Sequence, residues 1–385
     1  MWDIQLFKLN YDGREAQAAA EVIRGGWLTM GERVLEFEAR FGELLSVGAP
    51  SKVHCLAVSN GTAALHMAVL ALGLGAGDEV IIPALTFVAD ANVVKLVGAE
   101  PILADVIGEG DLNTSARSIE QNITPRTRAV IIVHYGGYAC NMDAIVDVCR
   151  RRKLALIEDA AHAPGATFKG RALGTFGDVG CFSFFSNKNL SIGEGGLFCT
   201  LNAELAQRSA YLRSHGMTSL TLDRHKGRAH TYDVVQPGMN CRMDEVHAAI
   251  GCVQLDKLEN GNQLRLDLTR RYRDQLRDSA ITVPFGQGDR DEVGISKPAC
   301  HILPVVLPPG CDRRKVMDRM KADRIQTSIH YPPFWSFQAY RHYDPASTPV
   351  TASFIDRVLT LPLFPTMTTR EVDTVVASLL SACNT

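Results

Sequence analysis

A doubly wound α/β domain on a mostly parallel sheet, followed by a smaller carboxyl-terminal α+β unit, is the fold class this sequence predicts. Three observations predict it. Seven short apolar runs, each bounded by turn residues, lie between residues 55 and 200, as suits strands buried on both faces of a sheet. Helical patterns alternate with those runs, the order that βα units require. The chain has 385 residues, more than one ordinary core organises, so a second unit is expected.

The expected strands are Cys55–Val58, Val80–Pro83, Pro101–Asp105, Ala129–His134, Leu154–Glu158, Cys181–Phe185 and Leu197–Thr200, with helices over Gly61–Leu72, Asp90–Leu96 and Met142–Arg152. Ahead of them, residues 1–31 form an amino-terminal arm that ends in an ordered loop, Gly25 to Gly31. Met243 to Arg277 reads as a long helical stretch, broken near Asn260-Gly261-Asn262, that carries the chain out of the first unit. The remainder supplies a strand at Ile302–Val306 and helices at Arg313–Lys321 and Arg370–Ser381. The expected division is therefore 1–255 for the large domain and 256–385 for the small one.

Composition excludes several functions. Hydrophobic residues make up 46% and charged residues 21%, and the formal net charge is -2, ordinary values for a globular enzyme. No Lys/Arg block marks a nucleic-acid surface and no apolar stretch approaches a bilayer span. Met1 to Gly13 does not read as a signal peptide, so a cytoplasmic location is expected. Ten cysteines are scattered without a C-x-x-C pair. They read as reduced thiols, with no metal site.

Three segments carry chemistry. Ser59-Asn60-Gly61-Thr62-Ala63-Ala64-Leu65 follows a strand and opens a helix. Taken alone it is a plain N-cap, but Gly61 admits close approach and the free amides of a helix start favour a phosphate. Asp159, in Ile157-Glu158-Asp159-Ala160-Ala161-His162, ends an apolar strand where ligands bind in open α/β sheets. A carboxylate there keeps a ring nitrogen protonated, which makes a pyridinium an electron sink. His162 either bonds a cofactor oxygen or packs in the core. Lys188 stands just past the strand that ends Phe184-Phe185-Ser186-Asn187, before Gly193-Glu194-Gly195-Gly196. A lysine forms imines when its amine is neutral, and burial supplies that form. Ser183 is placed to donate to a phosphate oxygen. The glycine cluster is not the dinucleotide fingerprint, and no triad signature, H-E-x-x-H or P-loop pattern competes. Together, the three segments point to pyridoxal phosphate.

This combination resembles the DegT/DnrJ/EryC1/StrS family of sugar aminotransferases, within fold type I pyridoxal-phosphate enzymes. The resemblance runs through Ser59–Leu65, Gly77 to Pro83, Thr86-Phe87, Ile157–Gly165, Phe182–Gly196, Asn240 to Arg242 and His330-Tyr331-Pro332. It implies a seven-stranded sheet and a Schiff base on Lys188, which also shuttles a proton between cofactor and substrate carbon. It implies Asp159 at the pyridine nitrogen, His162 at the 3-hydroxyl, Phe87 on the ring, and Gly61, Thr62 and Ser183 at the phosphate. It also implies Asn240 at the partner subunit's phosphate, hence a homodimer, with Thr29 in the Trp27–Gly31 loop and His330 near the sugar. Two positions depart from the family pattern: Cys241 replaces an aromatic residue, and His134 is followed by Tyr135-Gly136-Gly137-Tyr138 rather than Tyr-Gly-Gln.

The expected reaction moves an amino group, from glutamate, to a keto group of a nucleotide-linked deoxysugar, through pyridoxamine phosphate. Alternatives are a cyclitol ketone as acceptor, a dehydratase of the same family, or a sensor without turnover. The dehydratases carry His where Lys188 stands, and no DNA-binding segment is apparent. Asn189-Leu190 resembles members acting at C3 of the sugar and Gly193-Glu194-Gly195-Gly196 those acting at C4, with C4 favoured.

Overall fold

The computed structural model describes residues 2–219, 221–286 and 296–383. Its central sheet has seven strands in the order His54–Val58, Gly196–Thr200, Val179–Ser183, Ala155–Asp159, Thr127–Val133, Glu79–Pro83 and Glu100–Ala104. Gly196–Thr200 pairs antiparallel with both neighbours and the other contacts are parallel. Each strand falls within two residues of its sequence-predicted position.

The sheet is covered on both faces, so its strands alternate between two cores rather than between core and water. Ile81, Phe182 and Leu197 enter one cluster, where Phe37, Phe41, Phe182 and Phe184 pack edge to face. Val80, Ile82, Cys181 and Phe198 enter the other, against Leu65, Ala68 and Val93 of the covering helices. Two of the helices that frame the site start at side-chain caps: Asn60 accepts from the Ala63 amide at 2.8 Å and Asp244 from the His247 amide at 2.9 Å. The amino-terminal arm is not only a loop, since it holds the helix Arg14–Gly25, and a second helix, Glu32–Leu45, follows the Gly25–Gly31 turn.

A third cluster gathers the carboxyl-terminal half: Leu303, Val305, Val306, Val358, Leu359, Val372 and Leu379 around a two-stranded antiparallel ladder of Leu303–Val306 with Val358–Leu361. Helices Arg313–Ala322 and Thr369–Cys383 belong to this unit.

The expected break near residues 260–262 is absent: Glu245–Leu276 is one helix of 32 residues. Asn262 does not compete with its own backbone. Its amide nitrogen donates to the Pro164 carbonyl at 2.9 Å and its oxygen accepts from Asn189 at 2.7 Å. With the polar side chain committed to tertiary partners, the helix continues. It also crosses residue 255 without interruption, so the division at 255/256 stands as a proposal. All ten cysteines are free, and no helix among the described residues is long and apolar enough to cross a membrane.

Candidate active site

The strand Ala155–Asp159 ends in two carboxylates, and the pleat sends them to opposite faces. Glu158 is fully buried and saturated. It accepts from His134 at 2.9 Å, the Gly174 amide at 2.8 Å, the Phe176 amide at 2.6 Å and the Gly177 amide at 2.7 Å. Asp159 is also buried, but only Oδ1 is used, accepting from the Ala161 amide at 2.9 Å. Its Oδ2 makes no hydrogen bond among the described residues. Such an oxygen suits an incoming N–H.

Beside Asp159 lies Asp90, also buried, whose Oδ2 accepts from the Thr86 hydroxyl at 2.6 Å while Oδ1 has no partner. Burial raises the pKa of both carboxyls and they repel each other. The Ala161 amide and Lys188 draw Asp159 back down, so Asp90 is the member that keeps its proton.

Lys188 sits on a loop stitched by its own backbone. The Phe184 amide donates to the Gly195 carbonyl at 2.8 Å, the Ile192 amide to the Phe184 carbonyl at 3.0 Å, and the Lys188 amide to the Phe185 carbonyl at 2.8 Å. Burial lowers the Lys188 amine to about 8, against the opposing pull of Asp159. Asn189, next to it, is pinned in three directions. Its amide donates to Asn262 and to the Ala299 carbonyl, each at 2.7 Å, and its oxygen accepts from His301 Nδ1 at 3.0 Å.

Three histidines feel the charge of the amine, His162 and His301 buried and His330 partly so. Burial, and then the charge of Lys188, pushes His162 and His301 well below the usual range and His330 down to about 4. His162 and His301 rings lie 4.5 Å apart. His330 Nδ1 meets the Thr360 hydroxyl at 2.9 Å, and its carbonyl accepts from Tyr135. The Phe87 ring, half exposed, is 5.5 Å from that of Tyr331.

The sequence-predicted residues divide into two groups. Gly61 and Ser183 come together: a Cβ on Gly61 would stand 2.8 Å from the Ser183 Cβ, so glycine is what lets the helix start and the strand end close on one spot. Thr62 is exposed in the same first turn, where amides have no intrahelical acceptor. Asp159, His162, Lys188 and His330 share one electrostatic neighbourhood, and Phe87 borders it through Tyr331. Thr29 and Asn240 are both exposed and lie outside the hydrogen-bonded cluster. The loop carrying Thr29 is fixed by Glu245, which accepts from the Gly31, Val34 and Arg33 amides at 2.8, 2.9 and 3.0 Å. Sequence reading missed Asp90, Asn262, Glu245 and His301. None has a local signature, and Asn262 carried a misleading one.

These residues fit pyridoxal phosphate: an amide-rich helix start narrowed by Gly61 for the phosphate, a carboxylate oxygen left open for a ring N–H, and a buried amine lowered towards neutrality. A model of the DegT/DnrJ/EryC1/StrS aminotransferase family matches residues 10–380. The spore coat polysaccharide biosynthesis protein SpsC of Bacillus subtilis (strain 168) is 36% identical over 371 residues, covering 94% of this chain and 92% of SpsC. The crystal structure of the aminotransferase TlmJ from Streptoalloteichus hindustanus superposes with a TM-score of 0.87 at 32% identity, covering 100% of this chain and 99% of TlmJ. Spr1654 of Streptococcus pneumoniae, assigned as a sugar aminotransferase and solved in PMP and PLP forms, has TM-scores of 0.88 and 0.87 at 27% identity. It covers 97% of this chain in both, and 98% and 97% of its own.

Proposed function

The chain belongs to the DegT/DnrJ/EryC1/StrS aminotransferase family, and from that premise we propose that it transfers an amino group from L-glutamate to a keto group on a nucleotide-linked deoxysugar. It is a pyridoxal-phosphate-dependent sugar aminotransferase; glutamate, the nucleotide and the residue roles are our reading. SpsC, a protein of polysaccharide biosynthesis, supports a sugar destined for a surface polymer.

The observation that carries the reading is the pairing of Lys188, on the loop that follows strand Val179–Ser183, with a half-open Asp159 at the end of the adjacent strand. When bound, pyridoxal phosphate supplies an electron sink for the carbon that loses or gains the amine. Lys188 does the proton work. With its pKa at about 8, about a tenth of the amine is neutral at pH 7, against far less for an ordinary lysine. Its Nζ takes a proton from the substrate carbon and returns it to the opposite carbon. Asp159 Oδ2 holds the ring nitrogen protonated. Gly61, Thr62 and Ser183 hold the phosphate, Phe87 covers the ring, and His162 governs hydrogen bonding at the 3-oxygen.

Thr29 and His330 are assigned to the sugar. Asn240, exposed on the single chain, is assigned to the partner's phosphate in a homodimer with shared sites. Exposed Tyr232, Val234 and Val235 just before it support that face as one that another chain covers.

The test is incubation of the purified protein with glutamate and a panel of 3-keto and 4-keto nucleotide sugars and a cyclitol ketone, followed by mass spectrometry. The expected product is an amino sugar from a 4-keto substrate, with 2-oxoglutarate formed in equal amount. Amination of the cyclitol alone would overturn the acceptor, and product without 2-oxoglutarate would overturn the donor.

A further inference from the structure

His162 is engaged at both ring nitrogens. The Gly136 amide donates to Nδ1 at 3.2 Å. A backbone amide can only donate, so Nδ1 accepts and carries no proton. The ring proton therefore sits on Nε2, which faces the Tyr331 hydroxyl at 3.0 Å. Within that pair Nε2–H donates and the hydroxyl oxygen accepts. The phenol hydrogen of Tyr331 is left without a use, since its oxygen makes no other hydrogen bond among the described residues.

The turn that delivers Gly136 is built for this. Gly137 has φ +87°, and a Cβ there would lie 2.6 Å from the His162 carbonyl oxygen, so only glycine lets the turn press against His162. The departure at Tyr135-Gly136-Gly137 thus belongs to the site. Tyr331 is also fixed as a ring. Phe87, His330 and Tyr135 stand 5.5, 5.1 and 6.5 Å from it, centre to centre.

We propose that Tyr331 touches the bound cofactor, donating its phenol hydrogen to the anionic ring oxygen of pyridoxal phosphate, and that His162 acts through Tyr331 as a positioning residue. This assigns Tyr331 a role that the sequence reading gave to His162 alone, and it rests on Lys188 as the cofactor's attachment point. The hydroxyl is turned donor-outward because the Gly136 amide dictates the histidine tautomer, which dictates the phenol in turn.

The measurement is the absorbance band of the holoenzyme's bound cofactor, followed as a function of pH. The titratable groups facing Tyr331 and the cofactor are His162, His301, Tyr135, His330, Asp90, Asp159 and Lys188, and all are retained in a Tyr331→Phe variant. A donor to an anionic oxygen makes it less basic. Its loss should raise the midpoint of the spectral titration by about 1 pH unit. His162→Leu should raise it by less, because the phenol remains. Incorporating 3-fluorotyrosine at position 331, which strengthens the donor without removing it, should lower the midpoint and needs no cavity in the fold. A midpoint moved by His162→Leu but unmoved by Tyr331→Phe or by fluorination would overturn the proposal. Borohydride reduction and peptide mapping of the same samples separate the two readings. An adduct on another lysine removes the attachment point, whereas an adduct on Lys188 with an unmoved midpoint removes Tyr331 alone.

Discussion

Glu158 and Asp159 are neighbours in sequence, on one strand and both buried, yet their surroundings could hardly differ more. On the Glu158 face four donors converge on two oxygens. On the Asp159 face one oxygen has a single amide, the other has none, and a second carboxyl, Asp90, stands close enough to repel it. A saturated buried carboxylate welds the Gly174–Gly177 turn to the sheet. A half-open one costs stability and persists where a ligand completes it. The open face is also where the amine of Lys188 and three neutral histidines gather.

The sharpest way to break this comparison is Lys188→Ala. Transamination should vanish, and borohydride should no longer fix a cofactor to the protein. A reduced adduct mapped to another lysine would reject the assignment. Asp159→Asn comes next. It keeps shape but removes the charge, so turnover should fall by about a hundredfold or more, while the denaturation midpoint of cofactor-free protein holds or rises because a buried charge is gone. A near-native rate would erase the distinction between the faces.

A milder probe is pH. The rate at which cofactor-free protein captures pyridoxal phosphate should rise about tenfold per pH unit and flatten above about 8. The sign follows from burial, which lowers the lysine so that the reactive neutral form gains as pH increases. A plateau reached only near the ordinary lysine range would mean that the amine is not buried as described. Glu158→Gln tests the other face. It leaves amides unpaired and should lower stability by about 2–4 kcal/mol in urea denaturation, with turnover per folded molecule nearly unchanged. The smallest effect is expected from Asn262→Leu: a threefold to tenfold loss of turnover, about what losing a residue that orients a catalytic group costs, because Asn189 would lose one of its two acceptors beside Lys188. Loss of stability with no change in rate would place Asn262 with Glu158 instead.

Local signals made much of the molecule legible. Strands bounded by turn residues, the cap at Asn60, the aspartate closing an apolar strand and the lysine past the next one are all written within short windows. Contacts between distant residues were not legible. Glu245 caps a helix more than two hundred residues earlier, and His162 finds Tyr331 169 positions away. No window contains both partners of either pair. Asn260-Gly261-Asn262 misled for a related reason. Read locally, Asn and Gly end helices. In the fold the Asn262 side chain is spent on Pro164 and Asn189, and a Cβ at Gly261 would meet nothing nearer than Pro365 at 3.8 Å.

The unbroken helix has a mechanical consequence. Over 32 residues it is a rod about 48 Å long at 1.5 Å per residue. Glu245 in its first turn grips the loop that carries Thr29. Asn262 in its middle grips Asn189, and Arg265 the carbonyl of His301 at 3.2 Å. Tyr272 near its end donates to the Pro362 carbonyl at 3.0 Å. With no kink to absorb displacement, a tilt at one end is felt at the others: Thr29 loop, lysine loop and carboxyl-terminal unit ride on one shaft. A ligand that pulls the carboxyl-terminal unit inward would turn all three together, and amide exchange in the three segments should slow in concert rather than one at a time.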